Sequence, residues 1–486
     1  MTPPAPLSIQ DVLQATGGTL LAGNGGGVLA GVSTDTRSIR AGELFVALRG
    51  DRFDGHGFLG NAVRAGASGV VVDRDLSPET LREIGTVAAV RVEDTLVALG
   101  QIARCWRRRF TLPVLAITGS AGKTTTKEMA AAILAKTKRV LKTEGNFNNL
   151  VGLPLTLLGM KEEHEAAVLE LGTNRPGEIA ALTRIAEPGV GVITNAGPAH
   201  LEGLRSLDAV AEEKADLFRF LPMHGVAVVN RDDERIRRLA ATIRRRRITF
   251  GMGADADVSA RNIRHGEDRK VRFHLSIQGI GMDVALPVAG EHNVYNALAA
   301  AASCSVLGAD IEQIRRGLAD CRPVAGRMDI IRLRSSACVI DDTYNANPAS
   351  VREALKTMRA LRGACRSAAV LGDMLELGDS AAAWHERVGG FLADSGVDAV
   401  FLRGELSREV AAGALERGFD RNRIFFFEEI GEIEDELNMR IARGDWILVK
   451  GSRRMKMDEI IRRIVAQWGE GAGEEAPDNG GKGGQA

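Results

Sequence analysis

The chemistry of this chain starts at Gly119-Ser120-Ala121-Gly122-Lys123-Thr124-Thr125-Thr126. Glycines let a backbone bend until its N–H groups face a phosphate, and a helix that follows adds the positive end of its dipole. In such a loop Lys123 reaches the β- and γ-phosphates of a nucleotide, and the Thr124 hydroxyl ligates Mg²⁺. The apolar stretch VLAIT runs directly into the loop. Strand, glycine turn and helix therefore stand in the order that a phosphate loop needs, and a mere tight turn is the weaker reading. Ile117 occupies the place where the common pattern has a further glycine, so this is a shortened TGxxGKT loop. ATP and Mg²⁺ are the expected cofactors.

Further residues collect at strand ends around the same presumed site. The stretch AAVLEL ends at Glu170, where a Mg²⁺-binding acid is expected beside the loop, at the carboxyl end of a sheet strand. The stretch GVGVIT delivers Asn195 and then AGPAH, which ends at His200. A lone histidine is usually packed or solvated, but a third strand end at one phosphate site suggests a second metal position. Lys214, within DAVAEEKADLF, reads by itself as one more surface lysine in an acidic run.

The elements that must position these residues form an α/β chain of three domains. At roughly 150 residues per domain, 486 residues allow about three. Residues 1–92 read as a small glycine-rich α/β unit. It opens with a short helix after Ser8, with Asp11 in a capping role and Gly17-Gly18 as the stop. A helix from about Asp94 to Arg109 leads into residues 93–320, where buried strands (VLAIT, AAVLEL, GVGVIT, GVAVVN) alternate with helices from near Thr124, Gly177, Leu207 and Tyr295. That alternation predicts a mostly parallel, doubly covered sheet. Residues 321–468 repeat the pattern through ACVIDD, SAAVLG, AVFLRG, RIFFF and WILVKG, a Rossmann-like unit. Residues 469–486 carry nothing apolar to bury and read as a disordered tail.

Composition narrows the function classes. Lys plus Arg and Asp plus Glu both number 63, so no global field steers the chain onto nucleic acid or an anionic membrane. The runs Arg107-Arg108-Arg109 and Arg244 to Arg247 lack interleaved aromatics and read as solvated helix or loop faces, with a phosphate-binding patch as the weaker reading. Cys105, Cys304, Cys321, Cys338 and Cys365 are scattered, which predicts reduced, buried thiols and a cytoplasmic protein. No stretch is long and apolar enough for membrane insertion.

Beyond the phosphate loop, the stretches VSTDTRSIRAGELFVALRGDRFDGHGF, EGNFNNLVGLPLTLL, ELGTNRPGEI, NAGPAHLEG, GEHNVYNALAA, GRMDI, DDTYNANPAS and LGDMLELG occur in an order that resembles the Mur ligase family over nearly the whole chain except the tail. The resemblance implies a uridine-holding first domain with Ser33, Asp35, Thr36, Arg37, Asp54, Gly55 and His56 at the substrate. It implies a muropeptide channel lined by Asn148, Asn149, Thr173, Asn174 and Arg175. It implies adenine contacts from His292, Asn293 and Asn296. Arg327 and Asp341 match residues that reach the nucleotide on domain closure, and Tyr344, Asn345, Asn347 and Pro348 match a loop that approaches ATP and the incoming amine. Lys214 matches a lysine carbamoylated in several members, which would turn a cation into an anion able to hold Mg²⁺.

The resemblance is greatest to the branch that joins D-alanyl-D-alanine to a UDP-N-acetylmuramoyl-tripeptide. It implies an acyl phosphate intermediate, with Lys123, Glu170, His200, Lys214 and Arg327 as the catalytic set and the small-molecule substrates as partners of a monomer. The rivals are a family member that adds a single amino acid, a folylpolyglutamate-synthetase-like ligase, and a non-catalytic nucleotide-dependent muropeptide sensor. ADP release that requires both substrates separates the enzymes from the sensor.

Overall fold

The computed structural model describes residues 5–50, 52–440 and 442–469. These residues build three sheets, and the chain divides into two compact units. One unit comprises 1–264, 272–286 and 292–321, and the other 265–271, 287–291 and 322–486.

The amino-terminal sheet has five strands, in the order Thr19–Ala22, Ala88–Arg91, Gly69–Val72, Glu43–Val46 and Gly31–Ser33. The first pairing is antiparallel and the others are parallel. The expected opening helix is Ile9–Thr16. The Ser8 and Asp11 side chains form a reciprocal capping box at its start, and Gly17, at φ 65°, ends it in the left-handed region.

The central sheet has nine strands, in the order Ile280–Leu286, Val271–Ile277, Val258–His265, Arg246–Gly251, Val226–Asn230, Val190–Ile193, Val114–Thr118, Ala166–Glu170 and Val140–Lys142. From Arg246 to Lys142 the pairings are parallel. The strands before and after the phosphate loop are fully buried, as continuous apolar runs require. Strict βα alternation does not extend to Asp320, however. Residues 246–286 form four consecutive strands, the last two joined by Gln278-Gly279, both at positive φ. Positive φ at both positions suits a tight hairpin.

The helix Thr95–Arg107 belongs to both layers of the first unit. Ala98, Leu99 and Ile102 pack with Ile9, Val12, Leu44 and Val90 of the amino-terminal sheet. Ala103 joins the core beneath the central sheet. Leu99 is fully buried, so Leu99→Ala would cost about 2–5 kcal/mol.

In the other unit, a six-stranded sheet runs Asp329–Arg332, Cys338–Asp342, Trp446–Lys450, Ser367–Gly372, Ala399–Arg403 and Ile424–Phe427. Only the edge pairing of Asp329–Arg332 is antiparallel. Trp446–Lys450, last in sequence, is inserted between Cys338–Asp342 and Ser367–Gly372. The three strand ends that open at Asp342, Gly372 and Lys450 are therefore neighbours.

No helix among the described residues is long and apolar enough to cross a membrane. The described cysteines are all free thiols; Cys304, Cys321 and Cys338 are buried as expected, but Cys365 is exposed. Of the expected tail, Gly469 bridges to Leu333, and 470–486 lie outside the described residues.

Candidate functional site

The phosphate loop follows the strand Val114–Thr118 and precedes the helix Lys123–Leu134. Gly119 at φ 155° and Gly122 at φ 81° make the bend. A Cβ on Gly119 would lie 1.8 Å from Thr194 Oγ1, and one on Gly122 would lie 2.1 Å from Asn296 Oδ1. Both positions therefore demand glycine for space as well as for conformation. The Lys123 ammonium donates to the Gly119 carbonyl at 2.7 Å, folded back over its own loop.

The loop is held from the next strand end by Asn195. Its carbonyl accepts the Ser120 N–H at 3.0 Å, its Oδ1 accepts the Ala121 N–H at 3.0 Å, and its Nδ2 donates to the Ala121 carbonyl at 3.1 Å. Thr194 Oγ1 also donates to that carbonyl, at 2.6 Å. Asn195 was visible in the sequence as a strand-end residue, but its pairing with both main-chain polar atoms of Ala121 appears only in the fold.

Glu170 is 2% exposed and meets the loop directly: Thr124 Oγ1 donates to its Oε2 at 2.8 Å. Asn148 Nδ2 donates to the other oxygen at 2.9 Å. Asn149, by contrast, spends its side-chain oxygen on the N–H groups of Val151 and Gly152, at the start of the helix Gly152–Leu158.

Lys214 is not the surface lysine that its acidic run suggests. It lies in the helix Leu207–Arg219 and is 1% exposed. Burial, and then the Lys123 ammonium nearby, push its pKa down to about 7, against a smaller upward pull from Glu213. The adjacent Glu213 points to the neighbouring loop. Its carboxylate accepts the N–H groups of Gly177 at 2.7 Å and Ile179 at 2.8 Å, and the Thr173 hydroxyl at 3.3 Å. Asn174 and Arg175 are exposed, and their N–H groups bond Glu178.

His200 is half-buried and begins the helix Leu201–Leu204 with φ 57°. No three His, Cys, Asp or Glu side chains converge as a metal cluster among the described residues. Of the expected metal set of Thr124, Glu170, His200 and Lys214, only Glu170 is an acid; a carbamoylated Lys214 would add a second. The residues suit Mg²⁺ in kind: a phosphate-loop hydroxyl and one buried carboxylate are hard oxygen donors, and Mg²⁺ commonly takes one or two carboxylates together with phosphate and water.

His292, Asn293 and Asn296 lie in the helix Glu291–Val306. Asn296 donates to Asn293 Oδ1 at 2.9 Å and accepts from Thr126 at 3.4 Å, which sets this element against the phosphate loop. In the amino-terminal sheet's loops, Arg37 clasps the Asp35 carboxylate and lowers its pKa to about 2. Ser33 and Asp35 bond one another, with Thr36 half-buried between Asp35 and Arg37. Asp54 takes the His56 N–H and ring and the Arg74 guanidinium, which hold its carboxyl well below the usual range. Gly55 lies so close to the Leu48 backbone that a Cβ would sit 2.8 Å from it.

In the second unit, the Arg327 guanidinium lies 4.1 Å from the Tyr344 ring centre, and its buried Nε has no hydrogen-bond partner among the described residues. Asp341 accepts the hydroxyl and N–H of Thr343. Asn347 caps the helix Pro348–Arg362 and is occupied in doing so. Sequence reasoning missed Lys450. Its buried ammonium pairs with Asp342 Oδ2 at 2.5 Å and donates to the Asn345 carbonyl at 3.0 Å, so it anchors the loop that carries Tyr344 and Asn345. Ser452 was missed too, and its hydroxyl accepts the Leu375 N–H at 2.8 Å. A lysine on an otherwise apolar strand was the only signal.

Three family models match the chain: "Mur ligase family, catalytic domain" over 28–107, "Mur ligase middle domain" over 117–304 and "Mur ligase, glutamate ligase domain" over 326–453. The UDP-N-acetylmuramoyl-tripeptide--D-alanyl-D-alanine ligase of Bacillus subtilis is 37% identical over 90% of this chain and 93% of its own length. The Escherichia coli protein of the same name is 38% identical over 90% and 94%. A crystal structure of MurF from Acinetobacter baumannii superposes with a TM-score of 0.85 at 33% identity, over 95% of this chain and 99% of that one. MurF ligase from Thermotoga maritima in complex with ADP gives 0.79 at 28% identity, over 89% and 96%.

Proposed function

The chain belongs to the Mur ligase family, and from that premise we propose that it is an ATP-dependent ligase joining D-alanyl-D-alanine to a UDP-N-acetylmuramoyl-tripeptide in the cytoplasm. The observation that carries the reading is the meeting of Thr124 with the buried Glu170 beside Lys123 and Lys214. The names of the curated relatives support the substrates. In this reading residues 1–92 hold the uridine end, 93–320 bind ATP and the tripeptide, and 321–468 take the dipeptide.

The tripeptide's terminal carboxylate attacks the γ-phosphate, giving an acyl phosphate and ADP. The dipeptide amine then attacks the acyl carbon and phosphate leaves. Negative charge gathers at both steps. Lys123 swings from Gly119 onto the phosphates, the Lys123–Leu134 helix end offers its N–H groups, and Asn195 keeps the loop in shape. Thr124, Glu170 and a carbamoylated Lys214 would hold Mg²⁺, which supplies charge neutralisation at the transferring phosphoryl group. Arg327 and Asp341 are assigned to the nucleotide, and Tyr344, Asn345 and Asn347 to the loop at the incoming amine. The test is ADP release from purified protein. It should need both the UDP-muropeptide and the dipeptide, and Lys123→Ala should abolish it with an unchanged melting temperature. ADP release independent of either substrate would overturn the proposal.

A further inference from the structure

The two arginine runs stand outside this reaction. One precedes the strand Val114–Thr118 and the other leads into Arg246–Gly251, and these strands run in the same direction within one sheet. Both runs therefore lie on the sheet's amino edge, whereas the phosphate loop leaves its carboxyl edge. The first run is satisfied internally: Arg107 donates to the Ala186 and Phe110 carbonyls, Arg108 pairs with Glu187, and Arg109 pairs with Asp11.

The second run is different. Arg244 and Arg246, and Arg237 on the preceding helix, are exposed, with no carboxylate at ion-pair distance among the described residues. Arg245 and Arg247 donate to main-chain carbonyls, of Leu221 and Ala240 among others. A carbonyl satisfies the N–H groups but neutralises no charge. In a chain whose 63 basic and 63 acidic residues balance, this is a local cationic excess.

Arg245's bond to Leu221, at 3.0 Å, ties the run to the adjoining loop, where Pro222, Met223 and His224 are exposed. Met223 is 73% exposed at the tip of that loop. Phe220 lies beside it with the Arg184 guanidinium 3.8 Å over its ring.

We propose that this edge docks on an anionic lipid bilayer, with Arg237 and Arg244 to Arg247 on headgroup phosphates and Met223 in the interfacial layer. Guanidinium groups match phosphate oxygens in pairs. Basic clusters beside an apolar prong gain from both the negative surface potential and apolar burial. Single-stranded nucleic acid would want several open aromatic faces for stacking, and the Phe220 ring, 38% exposed, already carries the Arg184 guanidinium over one face. Docking on this edge leaves the phosphate loop on the side away from the lipid.

The full chain is sedimented with phosphatidylcholine vesicles and with vesicles that also contain phosphatidylglycerol, at low and high salt. Binding should require the anionic lipid and weaken with salt. The triple variant Arg237→Gln/Arg244→Gln/Arg246→Gln should bind roughly a hundredfold more weakly, at about 1 kcal/mol lost per cation, with unchanged melting temperature and ADP release. Met223→Ser should weaken binding by a smaller factor. Failure of the parent to bind anionic vesicles, equal binding by the triple variant, or preference for a short DNA over the vesicles would each overturn the proposal.

Discussion

The Thr124 hydroxyl donates to Glu170 Oε2 at 2.8 Å, joining the phosphate loop to the end of the neighbouring strand. Neither residue is more than 7% exposed, so the contact itself is shielded from bulk solvent. Glu170→Gln keeps the shape and one hydrogen-bonding oxygen but removes the charge that a divalent cation would need. ADP release should fall on the order of 10³-fold, because metal clamping supplies several kcal/mol to such transfers. The melting temperature should change little. An active Glu170→Gln protein would remove this carboxylate from the metal assignment.

Lys214 tests the modified-lysine assignment. Carbon dioxide reacts with a neutral amine, and a buried lysine whose pKa is held near 7 offers one at neutral pH. Lys214→Ala should lose nearly all ligation, and a short carboxylic acid that enters the vacated space should restore part of it. A labelled-bicarbonate NMR signal should appear in the parent and be missing from the variant. Full activity in Lys214→Ala would dispose of the carbamate.

The sequence made these two residues legible to different degrees. Glu170 ends a continuous apolar run, which marks a buried strand, so its place beside the phosphate loop follows from βα order. Lys214 reads as a surface charge because its neighbours in the chain are acidic; only the packing of its helix against the sheet buries it. Residues 246–286 escaped as strands for a related reason. In Val258–His265 polar residues dominate the outer part, and in Val271–Ile277 they alternate with apolar ones, so no apolar run marks them. Lys450 and Asp342 are 108 residues apart, and no local pattern announces their pairing.

That pairing yields a stability prediction. Lys450→Met leaves the largely buried Asp342 carboxylate without its cation and the Asn345 carbonyl without its donor. Removing one partner of such a pair costs about 3–5 kcal/mol, and denaturant unfolding should show a loss of that size in the second unit's transition. Asp342→Asn added to Lys450→Met should recover much of it. A single variant as stable as the parent would mean that Asp342 is already satisfied by other donors.

The proposed dipeptide site at the neighbouring strand ends of the second unit yields a specificity prediction. The loop Thr343–Asn347 follows Cys338–Asp342, and the segment after Ser367–Gly372 is tied to Ser452 by the Leu375 bond. Ligands of parallel sheets collect at such carboxyl ends. A dipeptide there presents two demands: a neutral amine aimed at the acyl carbon, and a carboxylate that needs a cation or N–H donors. Arg453, which lies 5.9 Å from the Tyr344 ring centre and is 64% exposed in its side chain, is a cation on the same edge, at 3.6 Å from the Asp458 carboxylate. Amidating the dipeptide's carboxylate removes a charge-assisted partner, worth about 1.5–3 kcal/mol, or roughly 10- to 150-fold in kcat/KM. D-alanyl-D-alanine should therefore support ADP release with a UDP-N-acetylmuramoyl-tripeptide, whereas its C-terminal amide, D-alanine, L-lysine and D-glutamate should do so poorly. A free amino acid that outperforms the dipeptide, or glutamate addition to a folate, would leave the family membership standing and overturn the dipeptide assignment.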